Sequence, residues 1–279
     1  MSTGRVGLRA APRFVESGSL DSVQKLYWPR AARRDSIGAM KSYGQYCPVA
    51  RAAEVLTERW SLLILRDLLG GSRRFNEFRK GVPLMSPTLL SKRLKSLEAA
   101  GVIERRSDAS GRNVEYHLTP AGEEVGPMVE LLGVWGQRWV RNLLGEDDLD
   151  VGLLMWDISG RLDADQFPAG RSVIVFEFTD VSGPKKLWWL IVDGGEVGLC
   201  LTEPGYDVDL FVTTDLRTMT KAWMGDMPIK QAVRSGEIEL HGSAGLARGF
   251  DKWMQLSVFA GVERPRKDYW PRGHRAAAQ

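Results

Sequence analysis

Apolar residues recur with the period of an α-helix from about residue 48 onward. The apolar positions of residues 49–56 and of residues 60–68 follow the i, i+3, i+4, i+7 spacing that places side chains on one helical face. Gly70 and Gly71 follow the second stretch, and glycine commonly ends a helix. The pattern therefore predicts two amphipathic helices, each burying one apolar face.

Two further helices and a hairpin are predicted before residue 119. Phe75 and Phe78 anchor a short third helix that Gly81 and Pro83 close. Ser86 is a candidate N-cap followed by proline at the first helical position, so a fourth helix is expected from there to about residue 100. Residues 102–106 and 114–118 flank a polar turn and predict a β-hairpin. Short helices followed by a hairpin are the layout of a winged helix.

The pattern changes after an acidic segment near residue 146. Before it, Thr119 and Pro120 begin what is predicted to be one long helix to about Leu144. Beyond it, five strand-like runs are predicted at 173–178, 187–192, 196–201, 207–212 and 237–241, and helices at 216–224, 229–235 and 245–260. The fold class is thus α+β.

This organisation divides the chain into four parts. We expect a disordered basic extension, a mainly helical winged-helix domain with a β-hairpin wing, an α+β domain and a flexible tail, at residues 1–40, 41–145, 148–260 and 261–279. The extension is either a basic arm that contacts DNA or an upstream segment from a misassigned start codon.

Charge is distributed unevenly although the formal net charge is only +3. Residues 41–116 carry fourteen Lys/Arg against eight Asp/Glu, whereas residues 117–279 carry seventeen against twenty-four. This asymmetry predicts a basic module that binds a polyanion and an acidic module with another role. An uneven solvated surface is the alternative interpretation.

The fourth predicted helix has the chemistry of a DNA-reading element. Leu90, Leu94 and Leu97 share one face, and small hydroxyl and cationic residues occupy the opposite face. Such side chains contact phosphates and base edges in the major groove, and arginines on a wing reach the minor groove. The candidate DNA-binding residues are Arg73, Arg74, Ser86, Thr88, Ser91, Lys92, Arg93, Lys95, Arg105, Arg106 and Arg112. Each cluster alone could be a solvated basic face; together they predict binding of double-stranded DNA.

The same part of the chain resembles the HxlR-type winged helix-turn-helix family of transcriptional regulators. The resemblance lies in residues 46–50 (YCPVA), 58–67 (ERWSLLILRD), 74–78 (RFNEF), 86–97, 97–103 (LEAAGVI) and 116–122 (YHLTPAG). It implies a homodimer that binds near-palindromic operators, usually as a repressor and sometimes as an activator. It also implies that Thr88, Ser91, Lys92 and Lys95 face the DNA.

An apolar stripe on the long helix independently suggests a dimer. Its candidate dimerisation residues are Val125, Met128, Leu132, Trp135 and Trp139. A winged-helix domain leaves this stripe without a partner, and a second copy would cover it and space two reading helices one DNA turn apart. In the alternative interpretation, the stripe packs against the second domain.

Cys47 is a candidate redox sensor. In the resembling family a cysteine stands at this place before a proline, and in some members it senses oxidants or electrophiles. A sensing thiol needs exposure and nearby positive charge, which Arg51 could supply. The competing interpretation is a small buried residue at the start of the first helix.

The second domain is similar to the sterol carrier protein type domain. The likeness lies in residues 187–194 (LWWLIVDG), 208–216 (VDLFVTTDL), 222–226 (AWMGD) and 229–242 (IKQAVRSGEIELHG). It implies a pocket for an apolar small-molecule effector, for which the candidate residues are Trp188, Phe211, Trp223, Met224 and Trp253. The same residues would also serve as the core of a small domain.

The remaining observations argue against other classes of protein. The three histidines and two cysteines show no metal-ligand spacing, and no nucleophile-elbow, zinc-protease or nucleotide-binding motif occurs. We therefore expect no enzyme, no cofactor and no metal. No apolar run is long enough for a membrane span, so a cytoplasmic protein is expected. The rival function is a lipid or small-molecule binding protein whose winged helix mediates protein contacts.

Overall fold

The computed structural model describes residues 42–108, 111–140, 145 and 148–263. The expectations for the basic extension at residues 1–40 and for most of the tail, from residue 264, lie outside the described residues. Within the described ranges, no helix is long and apolar enough to cross a membrane.

The first part of the chain folds as a winged helix. Its elements are α1 Pro48–Leu56, α2 Ser61–Leu69, α3 Phe75–Gly81, α4 Pro87–Ala99, β1 Ile103–Ser107 and β2 Val114–Leu118. The two strands pair antiparallel, with Ile103 opposite Leu118 and Ser107 opposite Val114. Apolar side chains from α2, α3, α4 and β1 form one buried core beneath the hairpin. The predicted winged-helix layout is confirmed.

The long helix predicted from residue 119 is two helices instead of one, α5 Pro120–Glu123 and α6 Gly126–Trp139. The break follows from local chemistry, because Pro127 has no N–H to donate and its ring conflicts with a preceding helical turn. The chain turns tightly there, with the Val125 N–H donating to the Gly122 carbonyl at 3.1 Å. Of the segment expected to continue the helix, residues 141–144 lie outside the described residues.

The second part of the chain is a mixed sheet with helices. Its strands are β3 Ser172–Phe178, β4 Leu187–Asp193, β5 Glu196–Cys200, β6 Leu210–Thr214 and β7 Ile238–Gly242. The strand order is β5-β4-β3-β6-β7, and β3 and β6 are the parallel pair. Its helices are α7 Val151–Arg161, α8 Leu216–Trp223, α9 Ile229–Arg234, α10 Ala244–Arg248 and α11 Phe250–Trp253. The mixed α and β composition agrees with the predicted class.

Two helical features of this part differ from expectation. Helix α7 was not predicted, although Asp150 caps it by accepting a hydrogen bond from the Leu153 N–H at 2.8 Å. The single helix expected over residues 245–260 is wrong, because α10 ends at Arg248, with Gly249 as its C-cap, and α11 ends at Trp253. The Trp253 carbonyl then accepts from the Asp163 N–H at 2.9 Å, so it bonds outside the helix.

The second core lies between the sheet and its helices. It contains alternate residues of β3, with Phe176 and Phe178 fully buried, together with apolar side chains of α7 and α8. The two cores are separate, and the surfaces of α2, α6 and α7 face each other between them. This arrangement places the second domain against the side of the winged helix that carries α2 and α6.

Candidate nucleic-acid interface

Helix α4 presents a polar, cationic face to solvent. Leu90, Leu94 and Leu97 are almost completely buried, which fixes the orientation of the helix in the core. On the other side Thr88, Lys92 and Lys95 are exposed and Ser91 is half-buried. Ser86 caps the helix, its hydroxyl accepting from the Leu89 N–H at 3.3 Å. The residues brought together here can contact phosphates through their charge and base edges through their hydroxyl groups.

The ammonium groups of Lys92 and Lys95 form no ion pair within the described ranges of the chain. Both lysines are therefore available to bind an external anion, and the hydroxyl groups of Thr88 and Ser91 lie on the same face of α4. This face is therefore the part of α4 that is available to a partner.

The hairpin carries three further candidate arginines. Arg105 is exposed on β1, and Arg112 is exposed beyond the turn, where its N–H donates to the Asp108 carboxylate at 3.1 Å. Arg106 is exposed but donates through Nε to Glu104 on the same strand at 2.8 Å. Such exposed pairs are weak and exchange readily with a phosphate. The wing can therefore present positive charge beside α4.

Arg73 and Arg93 have partners inside the protein. Arg73 donates to the Leu68 carbonyl at 2.6 Å and so closes the end of α2. Arg93 forms an ion pair with Glu58 and donates to the Arg59 carbonyl at 3.1 Å, and its side chain is only 14 % exposed. These contacts tie α4 and the α2–α3 turn to the rest of the domain.

Arg74 combines an exposed side chain with a structural role for its backbone. It is 64 % exposed and its Nε is 3.5 Å from a carboxylate oxygen of Glu115 on β2. The same residue caps α3, with the Glu77 carboxylate accepting from its N–H at 2.9 Å. Its backbone is structural while its guanidinium remains within reach of solvent.

The apolar stripe of α6 is split between two environments. Val125 is buried in the winged-helix core, whereas Met128, Leu132 and Trp135 are about half exposed, and Trp139 is half-buried. Leu131, beside them, is 68 % exposed. The opposite side of α6 contacts the second domain, where Gln137 donates to the Met224 carbonyl at 3.3 Å and Gly133 lies against Phe259.

Cys47 occupies the N-cap position of α1, with its thiol free and half-buried. Arg51, the cation suggested by the sequence, is engaged elsewhere: its guanidinium donates to the Glu54 carboxylate at 2.9 Å. That contact, with the Tyr43 N–H also donating, lowers the pKa of Glu54. The redox role of Cys47 stays a prediction.

The residues predicted to line an effector pocket are dispersed in the second domain. Trp188 and Trp253 are buried in its core, and Phe211 is 44 % exposed on β6. Met224 is partly buried against the core. Trp223 lies at the edge of a cleft between the two domains. The pocket therefore stays a prediction for these residues as a group.

The sequence reasoning missed that interdomain cleft. Asp67 on α2 and Asp157 on α7 both line it. Burial raises the pKa of Asp157 to about 6 and also raises the pKa of Asp67, although Arg66 opposes both shifts. The adjacent pair Arg66 and Asp67 inside the helical run of residues 62–69, whose other residues are all apolar, was the signal that could have drawn attention to it.

Comparison with known proteins yields one family model, described as HxlR-like helix-turn-helix, which matches residues 55–143. This match spans α2 to α6 and ends before the second domain. Within the described part of the chain, no cluster of three or more His, Cys, Asp or Glu side chains could hold a metal ion.

Curated relatives match over a comparable length. YvaP of Bacillus subtilis, described as an uncharacterized HTH-type transcriptional regulator, is 36% identical over 98 residues, which is 34% of this chain and 91% of YvaP. The regulator sll1512 of Synechocystis, described in the same way, is 34% identical over 39% of this chain and 82% of its own length.

A solved structure, described as the redox regulator HypR in its reduced form, is 32% identical with a TM-score of 0.32. It covers 33% of this chain and 91% of its own.

Proposed function

The chain belongs to the HxlR-like helix-turn-helix family, and from this premise we propose that it is a dimeric regulator that binds operators in double-stranded DNA and represses transcription. DNA binding and transcriptional regulation follow from the family. The repressor role, the dimer and the control by an effector are the finer parts of the proposal.

The exposed face of α4 is the observation that supports it most directly. Lys92 and Lys95 extend from this face with their charge uncommitted, and Thr88 adds a hydroxyl beside them. Cations placed against phosphates release condensed counterions, which supplies affinity, and hydroxyl groups can read base edges. The exposed arginines of the hairpin next to α4 would extend the contact to the minor groove.

The dimer is supported by the exposed side of α6. Leu131 is 68 %, Trp135 54 % and Leu132 48 % exposed, so three large apolar side chains lie next to one another in water. Within the described residues, Gln137 and Val134 on the opposite side of this helix meet the second domain or the cleft beside it. Burying these residues against a second copy would remove the apolar surface from water and place two α4 helices on one operator.

Two routes of control belong to the proposal. A small-molecule effector would act through the second domain, whose likeness to sterol carrier protein domains rests on sequence motifs outside the range of the family model. Oxidation of Cys47, at the start of α1, is the other route. Either one can regulate only if it stabilises the dimer that binds DNA more than the dimer that does not, or the reverse.

Fluorescence anisotropy of the full chain on labelled DNA from its own upstream region, against scrambled DNA over a salt series, tests the proposal. We expect preference for the upstream sequence and affinity that falls steeply with salt. Lys92→Ala and Lys95→Ala should each weaken binding and reduce the log–log salt slope by about 0.9, the value of one lost phosphate contact. Lys221→Ala, an exposed lysine on α8, is the matched control and should leave both unchanged.

Two results would count against this function. Weak binding without dependence on salt would favour a carrier whose winged helix mediates protein contacts. Unchanged affinity and slope in both lysine variants would show that α4 does not meet the DNA through this face.

A further inference from the structure

A cleft of about 930 Å³ lies between the two domains. Its walls come from α2 and α6 on one side and from α7, α8 and the segment after α11 on the other. The apolar part of the lining is Leu69, Val129, Val134, Trp156, Trp223 and Phe259. A volume of this size and lining is typical of sites that take drug-sized molecules.

The polar part of the lining is dominated by carboxylates. Asp67 has a side chain only 6 % exposed, and Arg66 donates twice to its Oδ1, at 2.9 and 2.7 Å. Its Oδ2 is buried and accepts no hydrogen bond from any part of the chain that the structure describes. This oxygen lies against Gly81 so closely that a Cβ there would overlap it, so Asp67 acts in the cleft through its negative charge and not through this atom.

Asp157 enters the same cleft from α7. Burial is the largest influence on it, and the charges of Arg66, Asp67 and Arg161 act on it without a hydrogen bond from any described residue. Glu77 of α3 and Glu130 of α6 also line the cleft, so four carboxylates face two arginines, Arg66 and Arg161. The Arg161 Nε is already committed to the Leu256 carbonyl at 2.9 Å. Lys80 of α3 lies over the ring of Trp156, 4.5 Å from its centroid, and adds a third cation at the edge of the cleft. The cleft therefore still holds an excess of negative charge between aromatic walls.

We propose that this cleft binds a small organic cation, with Asp157 and Asp67 as counter-ions for its charged nitrogen and the tryptophan and phenylalanine side chains as the site of its apolar body. Aromatic faces add to such binding because they attract cations. An anion would add to the negative charge of the cleft, and a neutral lipid would leave that charge uncompensated.

Occupancy of the cleft has a direct route to α4, and this consequence rests on the proposed function. Arg66 donates through one guanidinium nitrogen to Asp67 and to the Gly81 carbonyl at 2.9 Å, at the end of α3. The Asp67 carboxylate also lies against Gly81 so closely that a Cβ there would overlap it. A bound cation competes with Arg66 for these carboxylates, and the contact it weakens holds the turn that leads into α4.

Titration calorimetry on the full chain without DNA tests the site with three probes that share one ring system. The probes are 1-naphthylmethylammonium, neutral 1-naphthylmethanol and anionic 1-naphthylacetate. At pH 7.5 we expect the cation to bind about tenfold or more tightly than the other two, because an ion pair shielded from water exceeds an exposed one. The preference for the cation should shrink below pH 6, because the Asp157 carboxyl then takes up a proton. The other charged groups that line the cleft around it are Arg66, Asp67, Arg161, Glu77 and Glu130.

Two variants separate charge from shape. Asp157→Asn should lower the affinity for the cation at least about tenfold and bring it close to that of the alcohol. Gly160→Phe should abolish binding of all three probes by filling the cleft, since Gly160 lines it and a Cβ there meets open space. Asp193→Asn removes a carboxylate that pairs with Arg171 on the far hairpin and should change nothing.

Equal affinity for the three probes, or an unchanged affinity in both Asp157→Asn and Gly160→Phe, would overturn the site. Anisotropy on the same preparations without probe measures DNA binding separately. A wild-type chain that binds its operator but shows no preference for the cation would therefore refute this inference alone. A chain that binds the cation but no operator would refute the proposed function alone.

Discussion

Arginine and lysine side chains in the winged-helix domain fall into two groups: those that have partners inside the protein and those that are exposed to solvent. Arg93, with Glu58 and the Arg59 carbonyl as partners, anchors α4 to the turn before α2. Lys92, one residue earlier, is exposed. Adjacent residues on a helix point about 100° apart, so one can serve the fold while its neighbour serves a partner. Basic charge alone therefore does not identify a DNA contact.

Asp157 gives a prediction at the scale of one side chain. Its folded pKa of about 6 exceeds the ordinary value of 3.8, so its stabilising effect is present below about pH 4 and is lost as pH rises through 6. Asp157→Asn should therefore raise the free energy of unfolding above pH 7 by on the order of 2 kcal/mol and hardly change it at pH 4. Urea unfolding of both proteins at the two pH values measures this.

The surface carboxylate of Asp193 provides the comparison for that prediction. It pairs with Arg171 in an exposed ion pair, and such pairs contribute little. Asp193→Asn should therefore shift the unfolding midpoint slightly at most. An Asp157→Asn variant with the same stability difference at both pH values would contradict the raised pKa.

At the scale of elements, the packing of α5 on the hairpin depends on the absence of a side chain. Gly122 of α5 is buried, and a Cβ there would overlap the Val102 carbonyl oxygen and approach Leu118. Thr119, which caps α5, donates its hydroxyl to the Gly101 carbonyl at 2.6 Å and holds the same junction. The wing and α6 are thus positioned through one tight contact.

Gly122→Ala should destabilise the winged-helix domain by about 2 kcal/mol or more, because the backbone of β1 must move to admit the methyl group. Gly160→Ala, on an exposed turn of α7 with open space around it, should be neutral or stabilising by up to about 1 kcal/mol through helix propensity. Thermal unfolding followed by circular dichroism compares the two. Equal melting temperatures would contradict the close approach of α5 and β1.

At the scale of the whole molecule, α6 has two sides with different surroundings. Its one side contacts the second domain through Gln137 and Gly133, and its other side exposes Leu131, Leu132 and Trp135. Gln137 and Gly133, which make the contact with the second domain, are not members of the stripe seen in the sequence. Part of the helix packs on the second domain, and the exposed remainder supports the proposed dimer.

Trp135→Glu should convert the proposed dimer into a monomer, because a charge would be buried in an apolar interface. Sedimentation velocity measures the mass, and operator affinity should fall together with it. Leu201→Glu, at an apolar residue 44 % exposed in the second domain, is the matched control and should stay dimeric. A monomeric wild-type chain, or a dimeric Trp135→Glu variant, would remove α6 from the interface.

Much of the candidate DNA site could be predicted because it depends on local order. The spacing of Leu90, Leu94 and Leu97 orients α4, and the positions between them then carry the exposed cations. Ser86 and Pro87 locate its start. The split of the long helix was missed although Pro127 was visible, because the apolar period continues through it.

By itself the sequence determined α1 to α4, the hairpin and the five strands of the second part, because these follow from periodicity, caps and turns within a few residues. It missed α7 and the breaks after α5 and α10. Only the tertiary structure decided what covers each face. Asp67 and Asp157 come from different domains and line the same cleft only because α2 lies opposite α7. Arg93 is mostly buried because it forms an ion pair with Glu58. The physical reason is that hydrophobic patterning is non-directional: it requires that a surface be buried without specifying by which distant residues.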